Sequence, residues 1–256
     1  MCHPEVPAGH ATPEVAREEV SIPVAGGEGM PALLVSPERP SHSGVLVVAD
    51  VYGRSPFYED LAARLATAGF NGLLPDYFFR EGPLPDRRIE AASARRAKLS
   101  ERRSLADLDA AIGWLRDRID TPDGAATGTV GCCMGGTLVL HLAAARTDLA
   151  SVCYYGFPGG SRGGAKDKLP APFEVLDDMS GPILGFWGDQ DEGVGMDNVA
   201  ALAAGLEQRA VAFEHTIYAG LGHGFLARSN LEPGNEGYEE ACDSWTRTIE
   251  FYRGRL

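Results

Sequence analysis

Apolar positions in this chain alternate between two rhythms. Residues 19–24 and 30–36 are short runs rich in aliphatic and β-branched residues. Gly26-Gly27-Glu28-Gly29 parts them, which predicts a hairpin with a loose glycine turn. Residues 44–49 read Gly-Val-Leu-Val-Val-Ala, the continuous apolar run of a strand covered on both faces. A helix is predicted over 57–68, stopped by Gly69, and a strand over 71–75. The charged stretch 80–103 opens with Gly82, Pro83 and Pro85 and reads as a loop followed by a helix. Leu105, Leu108, Ile112, Leu115 and Ile119 then recur at steps of three and four, one apolar face of an amphipathic helix. Beyond them the pattern predicts strands over 127–131, 150–155, 182–187 and 211–218. Helices are predicted over 134–145, 196–208 and 238–253, and a long loop over 156–178.

A hairpin followed by repeated β–α units predicts an α/β architecture. Its central sheet has about eight strands, is mostly parallel, and is covered by helices on both faces. No repeat or dividing linker interrupts it, so residues 19–256 are expected to form one domain after an extension over 1–18. Ligands of such sheets bind beyond the carboxyl ends of the strands, so the residues just after each strand carry the chemistry.

Composition narrows the classes. Apolar residues make up 44% of the 256, enough for a large core without disulfides or a structural metal. The formal charge of −13 opposes binding to nucleic acid and to anionic membranes. The longest apolar run, from Leu138 to Ala145, is broken by His141 and is far shorter than the ~20 residues of a membrane span. The five cysteines are odd in number, two are adjacent, and none forms a Cys-x-x-Cys pair, so no disulfide framework is expected. The first twenty residues lack a basic start followed by an apolar stretch. A cytoplasmic protein with reduced thiols and no cofactor is expected, as a monomer or homodimer.

The turn between the strand at 127–131 and the helix at 134–145 reads Gly131-Cys132-Cys133-Met134-Gly135-Gly136. This is the Gly-x-Ser-x-Gly nucleophile elbow with sulfur in place of oxygen. Its glycines allow a strained turn and a close approach of helix to strand. The turn also sets Cys133 at the positive end of a helix, which favours a thiolate. Asp191 follows the strand at 182–187, and His223, in Gly222-His223-Gly224, follows the strand ending at 218. The chain order nucleophile, acid, histidine is that of the α/β-hydrolases. It makes His223 the base and Asp191 the group that orients it.

These residues resemble the dienelactone hydrolase family of α/β-hydrolases. Gly131 to Gly136 is similar to its Gly-x-Cys-x-Gly-Gly elbow, and Asp191 and His223 match its acid and base. Tyr154-Tyr155-Gly156, Ala49-Asp50-Val51-Tyr52-Gly53 and Pro75-Asp76 are similar to further family segments. The resemblance runs from about Glu19 to the C-terminus. It implies the α/β-hydrolase fold, a small ester or lactone substrate, and an oxyanion hole from the backbone N–H groups of Met134 and Val51. It also implies an auxiliary carboxylate at Asp50. The family's characterised members carry a Glu there, and Asp50 is one methylene shorter, so it either assists the thiol or caps the turn that follows. Gly193-Val194-Gly195 departs from the family's valine–proline motif after the acid. The family's carboxylate-holding arginines do not align, which leaves Arg80, Arg87, Arg88 and Arg228 as candidates against solvated surface charges.

Other residues carry bland readings. Cys132, Cys153 and Cys242 read as packing, His141 as structural, and His215 as a strand histidine facing solvent or a hydrogen-bond partner. Cys2 and His3 would hold a metal only with ligands from elsewhere. The alternative to a hydrolase is a non-catalytic α/β-hydrolase-fold protein that binds a small ligand or senses oxidants through Cys133.

Overall fold

The computed structural model describes residues 14–160 and 165–256. Cys2 and His3 lie outside them. The element order is β1 (Ala16–Pro23), β2 (Gly29–Ser36), β3 (Gly44–Val48), α1 (Pro56–Thr67), β4 (Asn71–Pro75), α2 (Ile89–Arg96), α3 (Glu101–Arg118) and β5 (Thr127–Cys132). It continues with α4 (Met134–Ala145), β6 (Leu149–Tyr154), β7 (Ile183–Gly188), α5 (Met196–Gln208), β8 (Phe213–Tyr218) and α6 (Tyr238–Arg253). The eight strands form one sheet in the order β1-β2-β4-β3-β5-β6-β7-β8. β1 and β2 pair antiparallel, β2 pairs antiparallel with β4, and the rest is parallel.

Helices cover both faces because β3, β4, β5, β6 and β7 are buried along their whole length and need an apolar partner on each side. α1 and α6 share one face: Phe70, just past α1, meets Tyr252 edge to face, and Arg64 of α1 bonds Ser229 and Asn230 in the segment before α6. α3, α4 and α5 lie on the other face, α4 and α5 both packing against a short 3-10 piece at Pro172–Asp178. Leu108, Ile112 and Leu115 of α3 are fully buried, while Leu105 and Ile119 are partly so, which is the predicted apolar face.

Beyond shifts of one or two residues, three boundaries differ from the sequence pattern. β1 begins at Ala16, inside the stretch expected to be an extension, because Ala16 pairs with Ser36. The 80–103 segment holds the expected loop and helix, α2, but α3 starts four residues before its first periodic leucine. Ser100 caps α3, its hydroxyl accepting the Arg103 N–H at 3.2 Å, and this capping fixes the start. The 156–178 loop is not wholly irregular, since it ends in that 3-10 piece.

The register aligns the carboxyl ends that matter. Val48 pairs with Gly131, Cys132 with Tyr154, Tyr154 with Phe186, and Gly188 with Tyr218. The residues just past β3, β5, β7 and β8 therefore emerge along a single edge.

Candidate active site

Cys133 sits between β5 and α4 with φ 57° and ψ −119°, a left-handed backbone that side chains rarely adopt. Such a conformation costs roughly 1–3 kcal/mol and persists only where the surroundings hold it. Here the Cys133 N–H donates to the Tyr154 carbonyl at 3.0 Å, and the Cys133 carbonyl accepts from the Thr137 N–H at 3.1 Å and the Thr137 hydroxyl at 3.3 Å. Two glycines make the turn possible. A Cβ at Gly131 would overlap the Gly135 carbonyl, and one at Gly135 would overlap the carbonyl oxygens of Val48 and Ala49. Met134 is the first residue of α4, where a backbone N–H has no partner within the helix. Cys132 points into the core instead. Burial, against the opposing hydrogen bond with Tyr155, pushes its thiol far up, and burial pushes the Cys153 thiol up to about 12. Cys242 is partly exposed on α6.

Asp191 follows β7 and is buried at 3% exposure. One carboxylate oxygen lies 2.6 Å from His223 Nδ1, and the other accepts the Val194 N–H at 3.1 Å. Its backbone is tied on both sides, by Asp191 N–H to Gly188 and by Gly195 N–H to Asp191. With Nδ1 engaged, His223 presents Nε2 on the opposite side of its ring. Tyr155 meets that ring edge to face at 5.0 Å, and Phe157 lies tilted against it at 5.4 Å.

Past β3, Asp50 is fully buried and one carboxylate oxygen accepts the Tyr52 N–H at 2.8 Å. This is the turn-capping geometry, and the Gly53 N–H closes the same turn on the Asp50 carbonyl at 2.9 Å. Burial first, then the charge of Asp50, holds the Tyr77 hydroxyl protonated far above its ordinary range; that hydroxyl donates to the Ala49 carbonyl at 2.7 Å. Val51 heads the turn, and its carbonyl accepts from Arg95 at 3.3 Å.

Three of the four arginines taken from the sequence are paired elsewhere, and the fourth faces outward. Arg80 pairs with Glu28 at 2.5 Å and with buried Asp107, and it stacks on Phe79. Arg88 pairs with Asp86 and is 76% exposed, and Arg87 is exposed. Arg228 donates to the Glu236 carbonyl at 2.7 Å and pairs with its carboxylate. Arg95 was missed. It lies on the buried side of α2 beside Ala92, its guanidinium 4.1 Å from the Phe78 ring centre, with weak bonds to the Val51 and Gly82 carbonyls. Its Nε has no hydrogen-bond partner among the described residues, and desolvation lowers its pKa despite Tyr77 and the nearby carboxylates. The signal was available in principle: Ala92, Arg95 and Arg96 fall at helical spacing on one face of a short helix.

The sequence model of the dienelactone hydrolase family matches residues 30–256. The chain belongs to that family. Carboxymethylenebutenolidase of Rhodococcus opacus is 32% identical over 256 residues, covering 100% of this chain and 98% of the relative. Carboxymethylenebutenolidase 2 of Cupriavidus pinatubonensis is 33% identical over 234 residues, 89% of this chain and 88% of the relative. A crystal structure of a Klebsiella pneumoniae protein assigned to the dienelactone hydrolases superposes with a TM-score of 0.82 at 26% identity. It covers 94% of this chain and 99% of the other. Among the described residues no helix is long and apolar enough to cross a membrane, and no cluster of three or more His, Cys, Asp or Glu is arranged to hold a metal.

Proposed function

We propose that this family member hydrolyses a small activated ester or lactone, dienelactone-like, through a thioester on Cys133. The observation that carries the reading is the strained cysteine turn at the same sheet edge as a buried Asp191 bonded to His223 at 2.6 Å. The names of the two carboxymethylenebutenolidase relatives support the same substrate class.

The chemistry follows from those positions. His223 Nε2 takes the thiol proton, and Asp191 stabilises the imidazolium that forms. The sulfur attacks the carbonyl carbon, and the N–H groups of Met134 and Val51 receive the developing oxyanion. The tetrahedral adduct collapses, the C–O bond breaks, and the leaving alkoxide or enolate takes the proton from His223. Water, deprotonated by His223, then attacks the thioester, and the thiol is restored with release of the acid. A thiolate attacks well but also leaves well. Substrates with stable leaving groups, such as enol lactones and aryl esters, are therefore favoured, while an amide adduct would expel sulfur back. Asp50 supports this cycle as a carboxylate under the oxyanion turn, and its cap on Tyr52 gives it a second, structural role. A substrate carboxylate would be held by Arg95, whose guanidinium is desolvated and under-bonded beside Val51.

The test is mass spectrometry of the protein mixed with an aryl ester or enol lactone. A transient acyl adduct on Cys133 with a burst of leaving group is expected. Cys133→Ala should abolish turnover and adduct together. Full hydrolysis of every native substrate by Cys133→Ala refutes the mechanism.

A further inference from the structure

A cavity of about 430 Å³ lies along α4, from Met134, the residue after Cys133, to His141. That volume falls in the ~300–1,000 Å³ range of small-molecule sites. One wall is a single face of α4, with Met134, Leu138 and His141 at steps of four and three. The facing wall includes Glu101 at the start of α3, with Leu169 and Pro170 from the long loop. The cavity shares Met134 with the oxyanion turn and shares no lining residue with the His223–Asp191 pair. The leaving group must lie at His223, which returns its proton, so a cavity on the Met134 side faces the acyl part of the substrate.

The wall chemistry is selective. His141 is only 5% exposed, lines the cavity, and has no hydrogen-bond partner among the described residues. Burial holds its pKa down to about 4 against the pull of Glu101, so the ring is neutral at pH 7 with one N–H and one lone pair to offer. Glu101 itself is satisfied, one oxygen by Arg96 at 3.2 Å and the other by the Leu169 N–H at 3.1 Å. Its buried charge disfavours an anion alongside, while Lys168 and Glu174, both exposed, place one charge of each sign at the rim. Thr137 is likewise occupied, bonding the Cys133 carbonyl and accepting the Phe157 N–H. From Met134 to His141 the helix rises about 10 Å, at ~1.5 Å per residue.

We propose that this cavity is an acyl subsite that takes an uncharged chain bearing a carbonyl or hydroxyl about 7–8 Å from the scissile carbonyl, where His141, about 10 Å along the helix, hydrogen-bonds it. The assignment rests on the thioester reading of Cys133. It makes the preferred substrate an ester or lactone of an extended oxo- or hydroxy-acid rather than of a compact one.

The experiment compares 4-nitrophenyl esters of acetic, octanoic and 7-oxooctanoic acid. With the wild-type chain kcat/KM should rise along that series. His141→Leu should lower the ratio of the oxo ester to the plain octanoate by about tenfold, the worth of one hydrogen bond, and His141→Asn should restore part of it. Leu138→Phe should lower the ratio of both long esters to acetate. Equal effects on all three esters in both variants would overturn the subsite, as would a wild-type enzyme indifferent to the oxo group. If wild type cleaves none of the three, the hydrolase reading itself fails. Binding of 2-octanone by calorimetry then decides the cavity: saturable binding lost in Leu138→Phe keeps it as a ligand site, and no binding removes it.

Discussion

His141 gives a quantitative prediction about acid stability. Its ordinary pKa of 6.5 falls to about 4 in the folded chain because burial penalises the charged ring. A depressed histidine has the opposite sign to the usual salt-bridged one. Between about pH 6.5 and 4 the unfolded chain binds a proton at this residue and the folded chain does not, so stability falls as the pH falls. With those two values, the wild-type chain loses about 2 kcal/mol through this one residue between about pH 7 and pH 4.5. His141→Gln keeps a polar side chain of similar reach but cannot titrate. It is expected to be somewhat less stable than wild type at neutral pH and to close that gap on acidification. The assay is urea unfolding followed by tryptophan fluorescence at a series of pH values. At a urea slope of ~2–3 kcal/mol/M, the difference between the two midpoints should change by about 1 M across that range. Midpoints that fall in parallel for both proteins would refute the reasoning, because His141 would then titrate alike in the folded and unfolded chains.

The remaining predictions concern the elbow and its partners. Gly135→Ala should destabilise by about 3 kcal/mol or more, since its Cβ would overlap two backbone carbonyls that cannot move independently of β3. Gly113→Ala, in α3 with open space around it, should stabilise by about 0.5–1 kcal/mol; thermal melts of the pair check both signs. His223→Ala should cost more in kcat/KM than Asp191→Asn, because the histidine moves protons in both half-reactions and Asp191 acts through it. Equal losses would show that the histidine works only while Asp191 is charged. Arg95→Met should raise KM for a carboxylated lactone by about tenfold or more over its effect on the methyl ester, the range of one charged hydrogen bond, whereas Arg80→Met should act on thermal stability without that discrimination.

The geometry of the proposed catalytic frame was legible because local rules determine it. A left-handed backbone at Cys133 and helix–strand contact closer than a Cβ allows both demand glycines, and those glycines stand in the sequence at Gly131 and Gly135. Asp191 and His223 were legible for a related reason. Parallel strands in register bring their carboxyl ends to one edge, so a residue three to five positions past a strand, as Asp191 and His223 are, has its location set by topology. The helices at 134–145, 196–208 and 238–253 agree with the structure to the residue, each having an unbroken periodic face between glycine or turn signals. β1 was trimmed because Ala16, Arg17 and Glu18 carry no apolar alternation and are exposed on an edge strand, where pairing with β2 rather than burial defines the element.

The arginines were not legible, and the reason lies in what a charge needs. From sequence, Arg80, Arg87 and Arg88 looked favourable because they follow β4 at the functional edge. Position alone does not leave a guanidinium available. Arg80 meets Asp107 and Glu28, residues far away in the chain, and two carboxylates at contact satisfy it as fully as a substrate would. Arg95 is separated from β4 by a loop whose course no local pattern predicts, and it returns to the Val51 turn only because α2 lays Ala92 against Val51 and Tyr52. There the guanidinium is buried against the Phe78 ring and bonded to carbonyls at 3.3 and 3.4 Å, long for hydrogen bonds. A buried cation held by weak acceptors has more to gain from a carboxylate than a solvated one with a partner already at contact. Burial without satisfaction, rather than proximity in sequence to a strand end, is the ground on which Arg95 is proposed to bind substrate.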